Sequence, residues 1–492
     1  MRRPMPIFYS ALMLTGVNLL LRFAGTAFQV FISARIGAAG VGLLQLVLSV
    51  GGLSMTAGIA GVRTTAMYLT AEELGRKRPG HIPWVLSGCF QYSLVCSGAV
   101  AIALYCFAPQ IARLWIGDSR TVSTLRLLAA FLPVSCLCGV MSGYFIAANR
   151  VGTLAAVEVA EQVVAMAVTA SMLILWVNGD PGKACQAVVL GSCAGALLTL
   201  TCLVWLRLRE KPVFSQKIPV ARRLLDAAVP LALADDLKAG ISTTENLMVP
   251  KRLALYTSNS LALFGTICGM VFPVLMFPAA ILFGLTELLI PEMARCNASG
   301  STQRIHYLMG RSLRLALIYG TVCGGVLFLA APELCQALYG STQAGKFLRW
   351  FAPLAVMLYS DIVTDAMIKG LGQQKVSVRY NILTSAMDVL FLFLLLPRYG
   401  IAGYFFSFLV THAINYFLSI RRLLKITGQR IDPRTPIITL GCAAIGVGIC
   451  RIIPLPFLRC AAFVAVLFCL LFLLNILTRE DLQWLRGLIC KK

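Results

Sequence analysis

Apolar runs, each about as long as a membrane crossing and each ended by a short polar or basic stretch, follow one another along this chain. They lie near residues 7–34, 41–69, 83–108, 120–148, 151–177, 184–206, 224–250, 260–290, 312–331, 346–371, 379–396, 399–420, 435–454 and 457–477. A helix needs ~20 apolar residues to cross the hydrocarbon core, and backbone in lipid must satisfy its own hydrogen bonds. The pattern therefore predicts an all-α polytopic membrane protein with about 14 transmembrane helices. The first run is too long for a signal-peptide core and lacks a convincing cleavage site, so it counts as a span.

Composition narrows the function classes. Of 492 residues, 59% are hydrophobic and only 13% charged, which excludes a soluble enzyme, a disordered chain and a fibrous protein. The net charge of +23 would suggest a nucleic-acid partner in a soluble protein. Here the basic residues sort by side. With the N-terminus inside, cytoplasmic segments carry 28 lysines and arginines and outside loops 11. The positive-inside rule then places both termini in the cytoplasm, and no nucleic-acid partner is needed to explain the charge. No outside loop exceeds about 15 residues, so an extracytoplasmic catalytic domain has no room and any work is done inside the bundle. The chain is expected not to be an enzyme. Its 17 cysteines sit mostly inside apolar runs without a CxxC, and its three histidines are scattered. No metal site or cofactor is implied.

The longest internal linker, residues 207–223, is basic and interrupted by Pro212 and Pro219. It follows the sixth span, where a chain of two six-helix halves would be joined. Leu125-Arg126-Leu-Leu-Ala-Ala-Phe-Leu-Pro133 resembles Leu348-Arg349-Trp-Phe-Ala-Pro353, and Arg35-Ile-Gly resembles Arg252-Leu-Ala at a similar offset. The expected organisation is a lobe at 1–206, the linker, a second lobe at 224–425, and two further transmembrane helices with a cytoplasmic tail at 426–492. Parallel repeats of this kind mark transporters with a substrate site near the midplane.

Ionisable residues at membrane depth cost at least ~2.5–3.5 kcal/mol each on insertion scales and must face a hydrated cavity or one another. Arg22 lies near the middle of the first span with Asn18 one turn away; it faces a cavity or pairs with an acid of span seven. Arg63 lies closer to the cytoplasmic end of span two, where snorkelling is an alternative, and Arg126 is read as snorkelling. Span seven carries Asp235, Asp236 and Lys238 at its centre, then Glu245. Asp235 and Lys238, spaced i,i+3, neutralise each other or line a site, while Asp236 points elsewhere. The alternative for this segment is an amphipathic surface helix. Glu158 and Glu161 share a face of span five, where a like pair calls for a cation or a proton. Glu287, Asp361, Asp365 and Asp388 complete the buried acids. In span eight, Pro273 and Pro278 free backbone carbonyls and bend the helix. His412 is read as hydrogen-bonded within the bundle. Gly340-x4-Gly345-Lys346 mimics a phosphate loop, but Phe347 replaces the Ser/Thr, so ATP hydrolysis is not expected.

Asn18-x3-Arg22-Phe-Ala-Gly25 followed by Arg35-Ile-Gly-Ala-Ala-Gly40-Val-Gly-Leu-Leu-Gln45 resembles the start of polysaccharide exporters of the stage V sporulation protein B type. These belong to the multidrug/oligosaccharidyl-lipid/polysaccharide (MOP) flippase superfamily. Thr70-Ala-Glu-Glu-Leu-Gly75, Val157-Glu158-Val-Ala-Glu161-Gln162, Glu245-Asn-Leu-Met-Val-Pro250, Leu289-Ile-Pro291-Glu and Pro397-Arg-Tyr-Gly-Ile-Ala-Gly403 extend the likeness over spans one to twelve. The resemblance implies two six-helix lobes, a central cavity and alternating access. It also implies cavity arginines on a lipid pyrophosphate, with Arg22 the clearest counterpart and Arg63 the next. The Asp235-Asp236-Lys238 cluster has no fixed family counterpart.

The resulting expectation is a flippase for a lipid-linked oligosaccharide or polysaccharide precursor, with Arg22, Asn18, Arg63 and Lys238 on the substrate. Asp235, Asp236, Glu245, Glu158, Glu161, Asp361, Asp365 and Asp388 would couple a proton or sodium ion or gate the cavity. The alternatives are a cation-coupled exporter of small organic cations and a non-transporting scaffold for envelope synthesis.

Overall fold

The structure, a computed structural model, describes residues 7–177, 179–209, 219–429, 434–474 and 476, without the side chains of residues 7–15, 17, 18, 287 and 288. Most of the 207–223 linker, the C-terminal tail and the side chains of Asn18 and Glu287 therefore lie outside the described residues. Helices follow the apolar runs, and no strand occurs among the described residues. In chain order they are α1 (Ile7–Ile59), α2 (Val62–Gly75), α3 (Ile82–Gln110), α4 (Val122–Ala147), α5 (Val151–Leu175), α6 (Pro181–Leu208), α7 (Ala221–Leu253) and α8 (Ser260–Thr266). There follow α9 (Phe272–Met276), α10 (Ala279–Ala298), α11 (Thr302–Tyr339), α12 (Thr342–Phe351), α13 (Ala355–Gly370), α14 (Gln374–Thr427), α15 (Arg434–Cys450) and α16 (Pro456–Leu473).

Among the described residues nine helical stretches are long and apolar enough to cross a membrane, or ten with the bent pair Ser260–Met276 and Ala279–Ala298 taken as one span. This is a multi-span membrane protein. Two of the stretches are far longer than one crossing. α1, at 53 residues, is broken at Gly37 (φ 68°, ψ 176°), and α14, at 54 residues, is broken at Gly400 (φ 56°, ψ −132°). Both breaks use conformations open to glycine, so tight turns stand where the hydropathy pattern places loops between spans one and two and between eleven and twelve. At Gly400 the glycine also makes room for the ring of Tyr256, which a Cβ would meet at 2.5 Å. α7 is not among these stretches, because charged residues such as Asp226, Asp235, Asp236, Lys238 and Glu245 interrupt it along its length.

The chain forms two compact units, one from the residues up to Gly269 with Val389–Gly400, the other from Met270–Asp388 and from Ile401 onward. In the first, α5 and α6 approach closely because Gly191 and Gly195 present no side chain to α5. In the second, the bend between α9 and α10 is 60°. It falls where Pro278 removes a backbone donor. Two tyrosines meet the disrupted turn: the Tyr359 hydroxyl donates to the Leu275 carbonyl at 2.5 Å and the Tyr319 hydroxyl to the Pro278 carbonyl at 2.7 Å. Their rings stack with centroids 6.0 Å apart. α16 lays Phe463, Leu467 and Leu471 against α11 and α15, with Gly325 leaving space for the Phe463 ring, and Arg459 holds Glu333 of α11 at 2.5 Å.

The phosphate-loop mimic is a helix junction. Gly340 ends α11 in the left-handed region, and the Ser341 hydroxyl accepts the Ala344 N–H at 3.2 Å to cap α12.

Candidate functional site

α1 and α2 form one helical path interrupted at Ala60 and Gly61, whose φ angles are 44° and 70°. The Tyr92 hydroxyl of α3 donates to the Ala60 carbonyl at 3.2 Å, satisfying one group that the break releases. On its other side the break starts a new helix. The N–H groups of a first helical turn have no intrahelical partner and carry the positive end of the macrodipole. Irregular backbone at membrane depth is tolerated where it lines a cavity, and that is what the break does. Gly61, Arg63 and Thr64, with Thr56 and Ile59 before them, form one wall of a cavity of about 460 Å³. Asp235, Lys238, Ala239 and Ser242 of α7 form the other.

The sequence of α7 explains why the two walls meet there. Val220, Leu224 and Ala228, four residues apart and buried, pack into a cluster with Val62, Ala66, Leu69, Ile82 and Val85. Gly61 lets the helices come still closer: a Cβ there would lie 2.7 Å from the Ala228 carbonyl oxygen and 3.1 Å from the Ala232 nitrogen. α4 contributes Gly143, where a Cβ would meet the Arg63 carbonyl oxygen at 2.5 Å, so the start of α2 is seated by backbone contact on two sides. Past Ala232 the same stripe of α7 turns from small and apolar to Asp235, Lys238 and Ser242. Helical rise puts Lys238 ~25 Å along α7 from Ala221, and Arg63 ~18 Å from the Gly75 end of α2. Neither lies near the helix end that the basic-residue bias assigns to the cytoplasm.

The cavity wall thus carries two cations, one carboxylate and the hydroxyls of Thr56, Thr64 and Ser242. Arg63, Lys238 and Asp235 are all exposed to it. The i,i+3 spacing of Asp235 and Lys238 brings both to this wall, and no ion pair joins them to each other. A net single positive charge, a helix start and a fork-shaped guanidinium suit an oxyanion.

The other sequence candidates lie elsewhere. Arg22 is exposed on α1, does not line this cavity, and its carbonyl accepts the Thr26 hydroxyl at 2.9 Å. Asp236 is turned away from the cavity, with its Oδ1 buried and without a hydrogen-bond partner. Glu245 and Glu158 are half-buried, Glu158 within electrostatic reach of Arg63 although it does not line the cavity, and Glu161 accepts the Thr199 hydroxyl at 2.6 Å. Arg126 lies over the Tyr105 ring, 5.1 Å from its centroid. Three acids belong to the second unit. Asp361 accepts Asn415 Nδ2 at 2.9 Å. Asp365 takes the Ser377 hydroxyl and pairs with Lys369 at 2.6 Å. Asp388, buried, accepts the hydroxyls of Ser407 and Thr411 at 2.5 and 3.2 Å. His412 stacks on Phe408, centroids 4.0 Å apart, with its Nδ1 3.0 Å from the Phe408 carbonyl.

Sequence reasoning did not single out Tyr92, Tyr319 or Tyr359. A break or proline at membrane depth was the available signal, because each leaves a carbonyl that needs a donor.

A family model described as "Polysaccharide biosynthesis protein" matches residues 84–342, more than half of the chain. The chain belongs to the polysaccharide biosynthesis protein family. A relative in Bacillus subtilis, stage V sporulation protein B, is 24% identical over 406 residues, covering 80% of this chain and 78% of that one. Among solved structures, the lipid II flippase MurJ in an inward closed conformation matches with a TM-score of 0.68 and 11% identity, over 93% of this chain and 98% of its own. An inward-facing multidrug resistance MATE family transporter of the MOP superfamily matches at 0.64 and 15%, over 85% and 100%. At such identities the structural matches establish the fold. This polysaccharide biosynthesis family member has the polytopic helical architecture of MOP-superfamily transporters. The family match takes in Asp235 and Lys238 but begins after Arg22 and Arg63.

Proposed function

We propose that the chain is a flippase for a lipid-linked oligosaccharide or polysaccharide precursor. It moves the saccharide from the cytoplasmic to the outer leaflet of a bacterial plasma membrane by alternating access between two lobes, with both termini in the cytoplasm. The cavity between α2 and α7 carries this reading, because Arg63 and Lys238 against Asp235 leave it positive. A pyrophosphate head takes the Arg63 fork, the Lys238 ammonium and the first-turn N–H groups of α2. The apolar tail stays in lipid. An inside-negative potential moves each negative charge outward with ~2.3 kcal/mol per 100 mV, so an anionic head has a driving force in the required direction. No bond is made or broken. Asp236, Glu245, Glu158, Glu161, Asp361, Asp365 and Asp388 are the candidate carriers of a coupled proton or sodium ion, or gating groups. Lipid II as the substrate named for MurJ supports the class of ligand, not a particular sugar.

The test is outer-leaflet exposure of a lipid-linked saccharide in proteoliposomes. Arg63→Ala and Lys238→Ala should each cut flipping strongly, and Arg63→Lys should retain part of it, having kept charge and lost the bidentate fork. Arg22→Ala measures whether the first-span arginine belongs to the same task. A folded Arg63→Ala/Lys238→Ala double variant that flips at the parent rate overturns the anion-handle mechanism.

The MATE neighbour and the carboxylate of Asp235 on the cavity wall favour a second reading, a cation-coupled exporter of organic cations. It makes the opposite forecast: removing Arg63 or Lys238 leaves cation efflux unchanged or raises it, because both repel a cation in a medium of low dielectric.

A further inference from the structure

At the far ends of α2 and α7 from the cavity, Arg223 reaches across to two adjacent carboxylates. Its Nη2 lies 2.7 Å from Glu72 Oε2 and its Nη1 2.9 Å from Glu73 Oε1. Glu73 is buried, its side chain only 2% exposed, while that of Arg223 is 36% exposed. Each carboxylate also has a partner close by in its own stretch of chain. Glu72 takes Arg76 at 2.6 Å in an i,i+4 pair, and Glu73 takes His81 Nδ1 at 2.9 Å. If Arg223 leaves, Glu72 keeps the Arg76 guanidinium and Glu73 keeps the His81 ring, a hydrogen-bond donor that becomes a counter-charge when protonated, and Arg223 returns to water from a position already 36% exposed. A permanent staple needs no such spare partners. A contact that is made and broken does, because an unpaired buried carboxylate is costly.

We propose that Arg223 with Glu72 and Glu73 is a releasable latch, which holds α7 to α2 at the end that the basic-residue bias assigns to the cytoplasm and opens once per transport cycle. The inference rests on the flippase reading. The latch lies ~18 Å along α7 from Asp235, so α7 cannot swing off α2 to open the cavity toward the cytoplasm while Arg223 is held. Between latch and cavity α7 packs toward α2 through Leu224, Ala228, Leu231 and Ala232, all of them apolar.

The test uses the full-length chain in inside-out vesicles, with Ser242→Cys as a reporter in the cavity. An impermeant maleimide is applied, and the labelled peptide is quantified by mass spectrometry. Arg223→Gln should raise the labelling rate several-fold over the reporter alone. In a second arm, Glu72→Cys/Arg223→Cys is bridged with a reducible bis-methanethiosulfonate reagent in proteoliposomes. Bridging should stop saccharide flipping, and reductant should restore it. Unchanged labelling in Arg223→Gln, or flipping at the unbridged rate in the bridged protein, overturns the latch. The reporter arm uses no saccharide, so raised labelling without any saccharide flipping supports the latch and counts against the flippase reading instead. The bridged arm starts from protein shown to flip before bridging, which separates a latch effect from misfolding.

Discussion

Gly61 lies against the backbone of Ala228, so close that a Cβ on Gly61 would sit 2.7 Å from the Ala228 carbonyl oxygen. This contact sets the spacing of α2 and α7 just where their shared face changes from apolar to charged. Gly61 is also in the left-handed region at φ 70°. Gly61→Ala therefore meets two penalties, about 1–2 kcal/mol for the conformation and a backbone clash. The expected result is a chain less stable in detergent by at least about 1 kcal/mol, with flipping lost as the cavity walls separate. Thermal unfolding and the flipping assay check it together, and a variant with parent stability and activity removes the close-approach argument.

Asp235 offsets one of the two cations on the cavity wall. Asp235→Asn keeps the shape and raises the net charge by one, so the anion should be held more tightly and released more slowly. Binding of a water-soluble pyrophosphate analogue should strengthen severalfold while turnover falls. Weaker binding in Asp235→Asn would show that the carboxylate serves the cavity in some way other than as a counter-charge.

Tyr359→Phe deletes the donor to the Leu275 carbonyl at the α9–α10 bend and leaves a buried acceptor unpaired. The expected loss is ~1–3 kcal/mol, measured by thermal or denaturant unfolding. Tyr319→Phe, at the Pro278 carbonyl, should cost a comparable amount. Because the two rings stack, the double variant should differ from the sum of the singles.

The loop between α3 and α4 gives a pH-dependent prediction. Arg120, through its side chain and its backbone N–H, holds the Asp118 carboxyl below its ordinary value of 3.8, against a smaller opposing effect of burial. A carboxyl with a depressed folded-state pKa stabilises the fold above its unfolded pKa, and that contribution is lost as pH falls through the lower folded value. Arg120 is more than half exposed, so solvent screening keeps the effect to a few tenths of a kcal/mol, roughly. Asp118→Asn should thus lower the melting temperature slightly at neutral pH, and the difference should fade as pH drops below about 4. A gap that widens on acidification would reverse the sign and remove the pairing argument.

Much of this protein is written in one dimension. Crossing a membrane requires long apolar helices with internally satisfied backbones, so runs such as 120–148 and 184–206 announce α4 and α6 directly. The same constraint makes each buried charge conspicuous, which is why Arg63, Asp235 and Lys238 stood out as candidates without any structure. Pro278 likewise announced a bend, since a missing N–H is a local property of the chain.

Which of those charges share a cavity is another matter. Arg22, with the strongest claim from its central position in the first span, does not line the cavity that Arg63 and Lys238 share. Periodicity says which face of a helix a residue occupies, but not what stands opposite. That depends on contacts between distant segments: Gly61 admitting Ala228, Gly143 seating Arg63, and Arg223 finding Glu72 and Glu73 across the 210–218 stretch and four intervening helices. The short-range physics of lipid and backbone fixed the helices and marked their expensive residues. The pairing of those residues is a long-range outcome of packing, decided only when small side chains let particular helices approach.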